Sequence, residues 1–141
     1  MLQIKLIEPN EMEIIIPLIL TLDTNLTENQ LKQRLPKMIA NNYSCIGVYD
    51  EKKLVGISGF WIIQKYYIEQ YIEPDNVVID LNYRGKGIGE MMSEWLDNYA
   101  KKINCVAANL NVYTTNDKAI RFWINRGYKI ISFHLQKRYD K

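Results

Sequence analysis

Between residues 76 and 103 the chain passes from a short apolar run, through a turn holding three glycines, into a long amphipathic stretch. The turn reads Arg84-Gly85-Lys86-Gly87-Ile88-Gly89. Behind it, Ile88, Met91, Met92, Trp95, Leu96, Tyr99, Ala100 and Ile103 recur at the i, i+3, i+4, i+7 spacing of one helix face. That stripe is read as core. Ahead of the turn, Asn76 to Leu81 is apolar enough for a strand covered on both faces. A strand that feeds a helix through so short a turn restricts the chain to layered α/β folds. It also places chemistry. The first turn of a helix carries N–H groups without internal partners, and the helix dipole makes that end positive. Gly85, Gly87 and Gly89 remove Cβ atoms there, and Arg84 and Lys86 add charge. The physical inference is a diphosphate ligand.

Gly-x-Gly alone is weak, because a tight turn produces it too. The strand–turn–helix context strengthens it, and two nucleotide folds fit poorly. Lys86-Gly87-Ile88 offers no hydroxyl for the magnesium of a P-loop. The dinucleotide fingerprint needs Gly-x-Gly-x-x-Gly in an opening strand–helix unit. Here the spacing is Gly-x-Gly-x-Gly, and it comes late in the chain.

The remaining elements follow from period and punctuation. Leu2 to Ile7 alternates as a strand. Pro9-Asn10 opens a helix that Asn10 caps with Glu13, and Pro17 kinks or shortens it. Thr27 and Gln30 repeat the capping spacing ahead of a helix to about Ala40. Tyr43 to Tyr49 and Lys53 to Ile63 form a hairpin, and Gln64 to Gln70 a polar turn, with strand character resuming near Tyr71 as one reading. Cys105 to Val112 is a further strand. Thr115 or Asn116 caps a helix that stops at Gly127, and Tyr128 to Leu135 is the last strand. The order is βααβββαβαβ in one domain over residues 1–141.

Composition restricts the function classes. A formal net charge of +2 is too small to argue for nucleic acid or an anionic membrane surface. The longest apolar run, Ile14 to Leu20, is too short to span a bilayer, and residues 1–5 lack a signal pattern. Two distant cysteines, Cys45 and Cys105, and one histidine do not make a metal site. A reduced cytoplasmic setting is expected.

With the motifs in place, the chain resembles the GNAT superfamily of N-acetyltransferases. Ile79-Asp80-Leu81-Asn82-Tyr83 and the glycine turn through Gly89 are similar to its acetyl-coenzyme A signature. Leu110-Asn111-Val112, Asn116, Ala119, Phe122 and Gly127-Tyr128 are similar to its second motif. The resemblance implies a mixed, mostly antiparallel sheet with helices on both faces, acetyl-CoA as cosubstrate, and a small-molecule or protein amine as acceptor. It implies cofactor contacts by Ile79, Asp80, Leu81, Arg84, Gly85, Lys86, Gly87, Ile88, Gly89 and Asn116. The backbones of Ile79 and Leu81 would pair with pantetheine, and Asn116 would bond the same arm. The thioester oxygen would be polarised by a strand N–H, and the amine would attack directly. A homodimer is compatible with the family.

Three positions bear on catalysis. Where the family often has a tyrosine that protonates the leaving thiolate, this chain has Trp123, a weak donor; Tyr113 or Tyr128 is a possible substitute. Asp75 matches the first residue of an Asp-Asp pair seen in some members, so it is either a proton relay or a turn carboxylate. Asp80 either faces solvent or bonds Arg84. Ser132-Phe133-His134 resembles the ending of one subgroup, with His134 either structural or a base. Trp61, Tyr66, Tyr67 and Tyr71 either wall an amine pocket or are ordinary strand and turn aromatics. The competing reading is a non-catalytic acyl-CoA binding module, which Trp123 favours. A bare anion site ranks behind it, since it leaves the second motif unexplained.

Overall fold

The computed structural model describes residues 1–140. They form two compact units, Met1–Leu110 and a second that begins at Asn111. The first holds five strands, β1 (Leu2–Leu6), β2 (Tyr43–Asp50), β3 (Lys53–Lys65), β4 (Ile68–Ile79) and β5 (Ala107–Ala108). Three α-helices accompany them, α1 (Ile16–Leu22), α2 (Glu28–Ala40) and α3 (Ile88–Lys102). The sheet order is β1-β2-β3-β4-β5, antiparallel except for the parallel β4–β5 pair. This is the mixed, mostly antiparallel α/β architecture expected. Among the described residues, no helix is long and apolar enough to cross a membrane.

Alternation along β2 decides where the layers go. Cys45 turns to one face of the sheet, where Tyr43, Ile57 and Val78 meet Met12, Ile15, Ile16 and Leu35. Ile46 and Val48 turn to the other, where Val55, Phe60 and Ile72 meet Ile88, Met92, Leu96 and Ala100 of α3. Helices therefore cover both faces, and β2 and β3 are buried along most of their length. Leu96 is 2% exposed, so the stripe read as core is core. Gly56 lets α3 approach: a Cβ there would stand 3.1 Å from Ile88 Cγ2.

Helix starts follow local chemistry, with one exception. Thr27 and Gln30 form the capping box: Gln30 N donates to Thr27 Oγ1 at 3.2 Å, and Thr27 N to Gln30 Oε1 at 3.0 Å. The expected Asn10–Glu13 cap does not form. Pro9–Ile15 is a 3-10 helix entered from Glu8 with no side-chain cap. Pro17 does not kink a helix either; it sits in the first turn of α1, where its missing N–H costs no intrahelical bond.

Three strand expectations are corrected. β4 begins at Ile68 instead of Asn76, because the ladder to β3 absorbs an extra residue and continues: Gly59 pairs with Asp75, then Ile57 with Val78. Leu81 leaves the strand for a 3-10 turn, Leu81–Tyr83. β5 is only Ala107–Ala108, the part that pairs with β4. In the second unit, α4 (Asp117–Asn125) forms, but Tyr128–Leu135 is not a strand. Alternation makes a segment suitable for a sheet, yet a strand needs a neighbouring edge to satisfy its backbone. Among its described residues that unit contains no other strand, and Ile130, Ile131, Phe133 and Leu135 are exposed.

Candidate functional site

The glycine turn is built for its dihedrals. Gly85 and Gly87 have φ of 75° and 80°, the left-handed region that side chains disfavour. A Cβ at Gly85 would meet nothing within 4 Å, so neighbouring bulk does not require glycine there. Gly87 is the N-cap of α3 and supplies no side chain to the first turn, whose N–H groups are left to an outside acceptor. The left-handed glycines and the uncapped helix start thus lie where the sequence put them.

The charges around it form a linked set. Lys53 Nζ lies 3.6 Å from Asp80 Oδ2 and 5.4 Å from the centre of the Tyr83 ring. Lys86 Nζ lies over the same ring at 5.0 Å. The Tyr83 hydroxyl donates to Asp50 Oδ2 at 2.6 Å, and this bond, ahead of burial, raises its pKa. Asp80 does not bond Arg84. Its Oδ1 accepts from Asn82 N at 2.9 Å and fixes the 3-10 turn, while Arg84 Nε donates to Ile79 O at 3.3 Å. Lys53, Asp50 and Tyr83 carry no local signal for this role, since their association depends on β2 and β3 reaching the turn.

Upstream, the sheet opens. β5 pairs with β4 at Tyr71–Ala107 and Ile72–Ala108, and Asn109 N donates to Ile72 O at 3.0 Å. There the ladder ends, while β4 runs on to Ile79 and is held only from the β3 side. Ile79 pairs with Gly56, and Asp80 N donates to Val55 O at 2.8 Å. Among the described residues, the last part of β4, which runs to the glycine turn, thus has no strand paired to its outer edge.

Along that stretch a bulge groups polar side chains. Asn76 has φ of 41°, and the extra residue turns Asp75 and Asn76 to the same face of the sheet. Trp61 Nε1 donates to Asp75 Oδ2 at 2.9 Å, and Asn76 N to Asp75 Oδ1 at 2.8 Å. The Tyr43 hydroxyl donates to Asn76 Oδ1 at 2.9 Å. Burial pushes the Tyr43 phenol far above its usual range, so it stays a donor. Asn76 Nδ2 is the one buried side-chain nitrogen or oxygen without a hydrogen-bond partner among the described residues. Of the four aromatics in question, Trp61 packs on the Tyr43 ring at 5.0 Å, and Tyr71 is buried. Tyr66 and Tyr67 stand exposed at the β3–β4 turn, so the four do not form one wall.

The second unit carries the other candidates. Asn116 Oδ1 accepts from Ala119 N at 3.1 Å and caps α4, which decides between Thr115 and Asn116. Trp123 packs edge-on against Phe122 and Tyr128, with ring centres 4.9 and 5.3 Å away. His134 lies exposed in the segment that forms no strand. Among the described residues no group of His, Cys, Asp and Glu is placed to hold a metal ion.

Known proteins place this geometry. Residues 18–128 match the family model described as acetyltransferase (GNAT) family. The chain is 25% identical over 119 residues to a probable spermine N(1)-acetyltransferase of Bacillus subtilis subsp. natto, covering 77% of this chain and 78% of the relative. The spermine/spermidine N(1)-acetyltransferase of Bacillus subtilis strain 168 matches with the same identity and coverage. The crystal structure of a possible acetyltransferase from Clostridium difficile 630 superposes with a TM-score of 0.85 at 15% identity, over 99% of this chain and 98% of that one. A glycine cradle at an uncapped helix start, reached along an opened sheet edge, belongs with these matches: the chain is a member of the acetyltransferase (GNAT) family and an N-acetyltransferase.

Proposed function

We propose that residues 1–141 act as one domain that binds acetyl-CoA along β4 and α3 and presents its thioester to a primary amine near the β4 bulge. The observation that carries this reading is the edge of β4, which loses β5 at Ile72, continues to Ile79 and delivers into the uncapped start of α3. The N–H groups of Gly85, Lys86, Gly87, Ile88 and Gly89 take the diphosphate. Arg84 and Lys86 add charge, and Asp80 holds the turn in shape. The backbones of Ile79 and Leu81 pair with the pantetheine arm. Asn116 uses its oxygen as the α4 cap, so its amide nitrogen is the group for that arm.

Bound acetyl-CoA supplies the activated acetyl group. The chain supplies position, an N–H for the thioester oxygen, and proton transfer. Asp75, fixed by Trp61 and by the Asn76 N–H, takes the ammonium proton through water. His134 is the alternative base, and Tyr128 beside Trp123 is the candidate donor to the leaving thiolate. The acceptor class we favour is a linear polyamine. Glu73 and Asp75 lie on one face of β4, about 7 Å apart along the strand, beside Trp61. Such a row suits successive ammonium groups, and both Bacillus relatives are named for spermine.

The test measures free thiol release with acetyl-CoA and a panel holding spermidine, spermine, an amino sugar and a lysine peptide, alongside thermal stabilisation. Turnover on the polyamines is expected. Stabilisation without turnover on any amine would instead mark an acyl-CoA binding module. Gly87→Glu is expected to abolish stabilisation by acetyl-CoA while the fold persists, and unchanged affinity would move the diphosphate elsewhere. Asp75→Asn is expected to lower kcat more than His134→Ala does; the reverse order would make His134 the base.

A further inference from the structure

Several features that cost stability converge on the β4 bulge. Asn76 adopts a positive φ of 41°, a region that side chains disfavour. Its Nδ2 is buried without a partner, so its desolvation goes uncompensated. Position 59, in the middle of β3, must be glycine: a Cβ there would fall 2.2 Å from the Tyr43 hydroxyl and 2.5 Å from Asn76 Oδ1. Tyr43 itself buries a phenol among Ile15, Leu35 and Cys45 to deliver one hydrogen bond. A strand that only needed pairing with β3 would keep its alternation and avoid all four.

What the arrangement achieves is local. The ladder to β3 skips from Asp75 to Val78, so Asn76 and Val77 have no partner residue of their own in the β3 register. β5 has already ended at Ala108, so the other edge is open at the same place. The hydrogen bond from Tyr43 holds the inserted residue in one conformation, and that conformation sets the direction of the neighbouring backbone N–H groups. The same residue's own N–H holds Asp75 Oδ1.

We propose that Tyr43 and Asn76 are a pair of positioning residues: through their hydrogen bond they hold the β4 bulge so that the Val77 N–H meets the acetyl carbonyl and Asp75 faces the amine. Neither side chain touches substrate. The proposal rests on the reading that acetyl-CoA lies along β4. Gly59 belongs to the device as the space the pair occupies.

The test uses Tyr43→Phe, Asn76→Gly, the double variant and Asn76→Asp. Glycine accepts the positive φ but cannot receive the tyrosine bond. Aspartate tolerates that φ and keeps an oxygen for Tyr43. The first readout needs no acceptor: the infrared carbonyl stretch of carbon-13-labelled acetyl-CoA bound to each protein. The wild type is expected to lower that frequency relative to water. Each single loss should move it back, the double variant no further than either, and Asn76→Asp should stay with the wild type. A wild-type frequency in Tyr43→Phe and Asn76→Gly would overturn the proposal, even with lowered Tm, and so would shifts that simply add. The second readout is turnover with spermidine. kcat should fall about tenfold or more in each single variant, in line with misplacement costs, with KM for spermidine within about threefold and no further fall in the double. Equal kcat in wild type and Tyr43→Phe would also overturn it. Absence of turnover on every amine would refute the proposed activity, while the carbonyl shift would still judge the positioning pair.

Discussion

The two units differ in how their helices are held. In Met1–Leu110, α3 lays one face on the sheet and buries Ile88, Met92, Leu96 and Ala100. In the unit that begins at Asn111, α4 is amphipathic by sequence but has no buried residue, and the segment after Gly127 makes no strand. Both helices have clear start signals. The difference lies in the apolar face: one has a sheet to cover it within its own unit, the other does not. Propensity and caps are enough to start a helix, but most helical stability in a protein comes from packing. The glycine turn belongs to the well-packed unit, so the cradle can be held still, whereas Asn116, Trp123 and His134 are carried by a unit with little internal cover.

Substitutions sharpen that contrast. Leu96→Ala should cost about 2–5 kcal/mol by removing buried volume, whereas Ile124→Ala on the exposed face of α4 should cost under about 0.5 kcal/mol. Urea midpoints of both variants check it, and equal losses would mean that α4 is covered. Alkaline pH gives the next effect. Burial pushes the Cys45 thiol from 9.0 to about 12 and the Tyr43 phenol higher than its usual value. The unfolded chain releases these protons first, so it binds fewer than the native state and stability falls as pH rises above about 9. Cys45→Ala should flatten part of that fall in urea midpoints taken from pH 7 upward. A flat wild-type profile would contradict the burial of both groups.

The caps give a smaller effect. Thr27→Ala removes the side-chain acceptor of the α2 box, the bond from Gln30 N, and should lower global stability by about 1 kcal/mol. Asn116→Ala should loosen α4 in hydrogen exchange while leaving the main melting transition in place. Smallest in energy is Phe133→Ser, expected within about 0.5 kcal/mol. Amides 129–139 should exchange quickly in the isolated chain. Protection there would show that this segment had found an edge to pair with.

Features that depend on a few neighbouring residues could be read directly. The glycine turn, the α3 stripe, the Thr27–Gln30 box and the Asn116 cap all appear where the spacing puts them, because dihedral freedom and capping act over three or four positions. Asn10–Glu13 has the same spacing and forms no cap, since Pro9 opens a 3-10 helix instead. Short-range signals therefore state what a segment can do. Whether it does so depends on its neighbours.

The bulge is the clearest case of the latter. Asp75-Asn76 in the sequence reads as a turn carboxylate or a relay, with nothing to choose between them. Tertiary structure places Trp61, fourteen positions earlier, on Asp75 and Tyr43, thirty-three positions earlier, on Asn76. Cross-strand register is settled by burial on both faces at once, and one inserted residue turns two polar side chains the same way. Asp80 shows the same dependence, for it pairs with Lys53 from β3 and not with Arg84 four residues away. The sequence alone determined that a glycine turn with left-handed dihedrals and no side-chain cap opens a strong helix after a strand, because that follows from glycine dihedrals and helix-end chemistry. Tertiary structure alone decided that β4 loses β5 at Ile72, which side chains collect at the bulge, and that Tyr128–Leu135 goes unpaired. Each of those depends on a partner edge or face that is distant in the chain and supplied only by the folded sheet.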